Sequence, residues 1–176
     1  MRFVARPKSL SETGIFLLCF SLLLGFFSFF RSISLLYFVP YLAVTILQSS
    51  FLPSLYAAFF VGCIWDSLYA LPFGLFSLTY VFTTYVTYRI REVFFHDQAI
   101  HIAFFSTIYA AIFFLFFPLV HFLIEPDKSG IKMDVSLLIF CSFLNGLYTF
   151  CVCGPLLALE KKIIRIFQLL PIKKRR

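Results

Sequence analysis

Leu55-Tyr56-Ala57-Ala58-Phe59-Phe60-Val61-Gly62-Cys63-Ile64-Trp65-Asp66-Ser67-Leu68-Tyr69-Ala70-Leu71-Pro72-Phe73-Gly74 is an apolar run with a single ionisable side chain other than Tyr and Cys, Asp66. It stops at Pro72-Phe73-Gly74, a turn signal. An Asp at the centre of a membrane helix costs on the order of 2.5–3.5 kcal/mol on insertion scales. No other carboxylate falls inside an apolar segment of this chain, so Asp66 is expected to have a dedicated partner.

The rest of the chain gives that run its setting. Of 176 residues, 61% are hydrophobic and 13% charged, with a mean hydropathy of +0.96. A soluble domain carries about 45–50% apolar and about 25% charged residues, so this composition belongs in lipid. The 27 phenylalanines read as lipid-facing and core filler. Cys19, Cys63, Cys141, Cys151 and Cys153 all lie in apolar segments, and Cys151-Val152-Cys153 lacks the spacing of a CxxC pair. They read as small reduced packing residues.

The net charge of +7 is bunched. Arg2, Arg6 and Lys8 precede the first apolar run, and Arg89 and Arg91 lie in a central break. Lys161, Lys162, Arg165, Lys173, Lys174, Arg175 and Arg176 follow the last run. That is the pattern of orientation by positive cytoplasmic loops, not of nucleic-acid binding. The N-terminal region resembles a signal sequence, but no small-residue cleavage site follows it. A retained first helix is expected.

Six apolar segments predict an all-α polytopic membrane protein: about Ile15 to Phe30, Ser34 to Gln48, Ser54 to Leu71, Phe73 to Tyr88, Ile100 to Ile124 and Val135 to Leu159. Several fall short of the ~20 residues of a full span, so tilt or re-entry is expected in the first half. If the basic ends are cytoplasmic, an even number of crossings precedes Arg89–Arg91 and both termini lie inside. The domains are then a cytoplasmic segment over 1–14, a six-helix membrane domain over 15–159 and a basic cytoplasmic tail over 160–176. In the tail, apolar and basic residues alternate at near-helical spacing up to Pro171, predicting a short interfacial helix on anionic lipid.

Ala58, Gly62, Asp66 and Ala70 recur every four residues, placing three small residues and the acid on one helical face. That face should point into the bundle or toward a partner. Two groups are candidates to satisfy Asp66. One is the open N-terminus of the next helix, after Pro72-Phe73-Gly74; the other is Arg31, the only base of the first outer loop. Asn145-Gly146 in the last segment reads as interhelical glue. Glu92 with His96 and Asp97 with His101 stand at metal-ligand spacing, but on a short charged linker; no metal or cofactor is expected. No Ser/His/Asp or Cys/His set shares one membrane depth, and no phosphate-binding glycine loop is present, so no enzyme activity is expected.

Gly62, Asp66 and Gly74, with Leu71-Pro72-Phe73 before the second glycine, resemble the most recognisable segment of the MreD family of rod-shape-determining membrane proteins. Pro40, Asn145-Gly146 and the basic exits Arg89–Arg91 and Lys161-Lys162 fall in similar places. Cys63-Ile64-Trp65 departs from the family's more usual aliphatic and glycine residues. The resemblance implies a non-enzymatic scaffold of the elongasome in the bacterial cytoplasmic membrane. Its partners would be MreC and, through it, MreB filaments, RodA and a penicillin-binding transpeptidase. The family is similar in fold to the substrate-binding components of energy-coupling-factor vitamin transporters, which supplies the alternative of a transporter subunit. Against that alternative, the first helix offers only Ser21-xxx-Gly25 as a coupling face.

Overall fold

The computed structural model describes residues 11–26, 36–69, 72–91, 99–124 and 135–169, and all the regular structure among them is helical. The order is α1 (Ser11–Phe26), α2 (Val39–Gln48), α3 (Phe51–Leu68), α4 (Leu75–Ile90), α5 (Ala99–Ile124) and α6 (Val135–Leu169). α3 packs closely on α4 and α5 on α6, and the two pairs meet through an α4–α5 contact. α1 packs on α2 and α6.

Three helices, α3, α5 and the Val135–Leu156 part of α6, are long and apolar enough to cross a membrane. Their outer surfaces carry large apolar side chains such as Phe60, Leu123 and Phe143, as lipid contact requires. α1, α2 and α4 are shorter, at 16, 10 and 16 residues.

The second expected segment is where sequence and structure differ most. α2 begins at Val39, not Ser34, with Pro40 in its first turn. Pro supplies no N–H and fixes the entry geometry, so it favours a helix start there. Leu36, Tyr37 and Phe38 precede the helix as buried, non-helical backbone. At ~1.5 Å per residue, α2 rises about 15 Å, roughly half of a ~30 Å hydrocarbon core. It touches every other helix, and Val39, Pro40, Leu42 to Ile46 are all buried. α2 is therefore the centre of the bundle and not a lipid-facing span.

The other boundaries shift less. α3 ends at Leu68, which leaves Ala70 beyond the helix and outside the described residues. Arg31 also lies outside them. α6 does not stop at Leu159: it runs unbroken to Leu169 with Pro155 inside it, so the expected separate tail helix begins as a continuation of α6.

Candidate functional site

The α3–α4 turn carries the densest set of singled-out residues. Tyr69 leaves the helix in extended geometry, and Gly74 caps α4 with a φ of 98°, a left-handed backbone that side chains disfavour. Gly74 has no side chain with which to close the open N–H groups of α4. Asp66 closes them from the neighbouring helix. Its Oδ1 accepts from Phe76 N at 2.9 Å and its Oδ2 from Ser77 N at 3.2 Å. These are the second and third residues of α4, the positions that a capping side chain normally serves. The Ser77 hydroxyl donates to Oδ2 at 2.5 Å and lies 3.5 Å from Cys63 Sγ.

Hydrogen bonds to a charged group contribute about 1.5–3 kcal/mol each, and the positive end of the helix dipole adds to them. Three such bonds offset the cost of carrying the acid into an apolar bundle. The side chain is only 5% exposed. It sits two residues from the end of α3, about 3 Å of rise, closer to the turn than its distance from Pro72 suggests.

Gly62 makes this closure possible. A Cβ there would stand 2.7 Å from Ser77 N and 3.1 Å from the Phe76 carbonyl carbon, both rigid backbone. The small-residue face of α3 is thus filled by the first turn of α4: Ala58, Gly62 and Asp66 are all buried. Of the two directions expected for this face, into the bundle or toward a partner, the described residues show the first. Trp65 packs on Tyr37, Tyr69 and Phe76 and covers the joint on its inner side.

Asn145 and Gly146 serve two different neighbours. Asn145 is fully buried; its Oδ1 accepts from Leu36 N at 2.9 Å, and its Nδ2 donates to Cys141 O at 2.8 Å. The Tyr148 hydroxyl donates to Tyr37 O at 3.2 Å. α6 thereby satisfies the non-helical backbone that leads into α2, which lipid could not do. Gly146 instead faces α5, where a Cβ would collide with the Thr107 hydroxyl and approach Ala103 O at 3.3 Å.

Arg91 was expected only as a loop charge, and the structure gives it a second role. It follows α4, is buried, and its Nη1 donates to Ile46 O at 3.0 Å and Ser49 O at 2.7 Å. A cation thus closes the C-terminal carbonyls of α2, as an anion closes the N-terminus of α4. Ser54 helps by donating to Thr45 O at 3.4 Å. Nothing in the local sequence distinguishes Arg91 from Arg89, because the assignment depends on where α2 ends. Ser77 was more legible, being in the first turn of the helix expected to face Asp66.

Among the described residues, no group of three His, Cys, Asp or Glu side chains is placed to hold a metal ion. The arrangement closes helix ends and brings backbones together. No family model matches the chain, and neither does any curated protein or solved structure.

Proposed function

We propose that this chain is a non-enzymatic membrane scaffold of the cell-elongation machinery, as its resemblance to the MreD family implies. In this reading it crosses the bacterial cytoplasmic membrane six times with both termini inside. It binds the bitopic protein MreC and so links MreB filaments to peptidoglycan synthesis by RodA and a penicillin-binding transpeptidase.

One observation carries the reading. Gly62, Asp66 and Gly74, the residues on which the resemblance rests, converge on the first turn of α4 as one joint. Gly62 admits the backbone, Gly74 turns the chain and Asp66 closes the helix end. That the three residues behind the resemblance serve one physical unit is what supports the reading. With the face of Gly62 filled by α4, the membrane helix of MreC packs on an outer face of the bundle.

The test is purification of the full chain in mild detergent from cells that also produce MreC. Stoichiometric co-purification of MreC supports the scaffold. A bound vitamin or an attached ATPase module with no MreC overturns it in favour of transport. Single cysteines at Phe73 and Arg89, labelled from each side of the membrane, should react from opposite faces.

A further inference from the structure

Arg91 uses two of the five N–H groups of its guanidinium against α2. Both carbonyl bonds leave from Nη1, and no described residue takes the edge formed by Nε and Nη2. Arg91 is 7% exposed, and none of its nitrogens is a sealed donor without a partner, so the exposure it has reaches this edge. The guanidinium is fixed in place by the two carbonyls and by the Tyr88 ring, 3.9 Å from it. Asp66, the one carboxylate whose side chain is described, lies at the far end of α3, about 23 Å away along the helix axis.

The location is one end of a membrane-length helix. Ser49 and Arg91 sit beside the first turn of α3, where that membrane-length helix begins; Phe51 touches Tyr85 and Tyr88 there. Tyr56 and Tyr85, 66% and 46% exposed, lie near the same end, as tyrosines do at the level of lipid headgroups. An Arg edge presents two parallel N–H groups that match two oxygens of a phosphate.

We propose that the free edge of Arg91 binds the phosphate of an anionic phospholipid at this membrane surface, next to the C-terminus of α2. The proposal needs only the membrane setting and is independent of any role in cell elongation. A bound headgroup would complete the charge balance of a buried cation that the helix end neutralises only in part.

The experiment uses the full chain in mild detergent with an equimolar mixture of phosphatidylglycerol and phosphatidylcholine, retained lipid being counted by native mass spectrometry. Wild type should be enriched in phosphatidylglycerol about fivefold over the mixture. Arg91→Lys, whose ammonium keeps the carbonyl bonds but has no second edge, should lose most of that enrichment and keep only what the basic tail contributes. Arg89→Gln, removing the exposed neighbouring charge, should leave the enrichment in place. If Arg91→Lys does not fold, a full-length variant with Lys161, Lys162, Arg165, Lys173, Lys174, Arg175 and Arg176 changed to Gln decides: its enrichment should persist, and loss of the enrichment there overturns the proposal. Equal retention of both lipids by wild type, as when an acid such as Glu92 takes the free edge, overturns the proposal. So does an enrichment that Arg89→Gln abolishes as fully as Arg91→Lys.

Discussion

Asp66 and Ser77 meet across the α3–α4 turn, the carboxylate accepting from both the hydroxyl and the N–H of the serine, at 2.5 and 3.2 Å. One residue on each helix thus joins the pair at the point where α4 would otherwise expose open N–H groups. The same solution recurs at the other breaks in the bundle. Arg91 closes the end of α2, and Asn145 with Tyr148 closes the stretch before it. A membrane interior supplies no water for such groups, so side chains from neighbouring helices must do so. The signs are not interchangeable: the anion meets a helix N-terminus and the cation a C-terminus.

Replacing Asp66 separates hydrogen bonding from charge. Asp66→Leu leaves Phe76 N and Ser77 N buried without an acceptor, at about 1–3 kcal/mol for each orphaned group. Asp66→Asn keeps one acceptor oxygen, and the Ser77 hydroxyl is free to rotate and accept from the new amide. Membrane levels and thermal midpoints should therefore rank wild type, then Asn, then Leu. Wild-type levels for both variants would remove Asp66 from the structural role assigned here.

Gly62→Ala tests the backbone approach directly. The added methyl meets Ser77 N and the Phe76 carbonyl carbon, neither of which can swing aside, and overpacking of this kind costs about 1–3 kcal/mol or more. Gly154→Ala is the matched control, because a Cβ there has nothing within 4 Å. That substitution should be neutral or stabilising by up to about 1 kcal/mol, the ordinary helix-propensity gain. Equal midpoints for the two alanine variants would contradict the close contact of α3 and α4.

Much of this architecture is legible from composition and periodicity. The long apolar runs give α3, α5 and α6 as membrane-length helices, and Asp66 with Pro72-Phe73-Gly74 points to the closure of α4. The nature of α2 is not legible, because Ser34 to Gln48 is apolar throughout and hydropathy does not separate a buried centre from a lipid-facing span. Only the tertiary bonds from Asn145 and Tyr148 mark Leu36 and Tyr37 as non-helical backbone inside protein. Arg91 is hidden for a related reason: its partners are carbonyls 42 and 45 residues away, and carbonyls leave no trace in a sequence.

The Asn145 clamp predicts a local signature. In Asn145→Leu, the Leu36 N–H loses its acceptor while the apolar volume of α6 is kept. Hydrogen exchange at the Leu36 amide should rise at least about tenfold, as expected for loss of roughly 1.4 kcal/mol of protection. Amides in the middle of α5 should change little. Asn145→Asp, which retains the acceptor oxygen, should protect Leu36 better than Leu does. Identical exchange in all three proteins would mean that the linker is held by something other than Asn145.

The buried Thr84–Tyr109 pair between α4 and α5 is a contrasting case, because a fallback exists. The two hydroxyls lie 3.0 Å apart, and Tyr109 also reaches Tyr80 O at 3.4 Å. Tyr80 O is the carbonyl four residues before Thr84, the one that a helical threonine hydroxyl bonds in the absence of a better partner. In Tyr109→Phe, the Thr84 hydroxyl turns back to that carbonyl and little is lost. In Thr84→Val, Tyr109 keeps its bond to Tyr80 O. A double-mutant cycle on thermal stability should therefore give a small coupling, near the ~0.6 kcal/mol average for interhelical polar pairs in membranes. In the Asp66–Ser77 pair the acceptor is a carboxylate and the other contact of the hydroxyl is the weak acceptor Cys63 Sγ, so this pair should couple more strongly in the same assay. A larger coupling for Thr84–Tyr109 than for Asp66–Ser77 would reverse the order of importance that the geometry assigns to the two contacts.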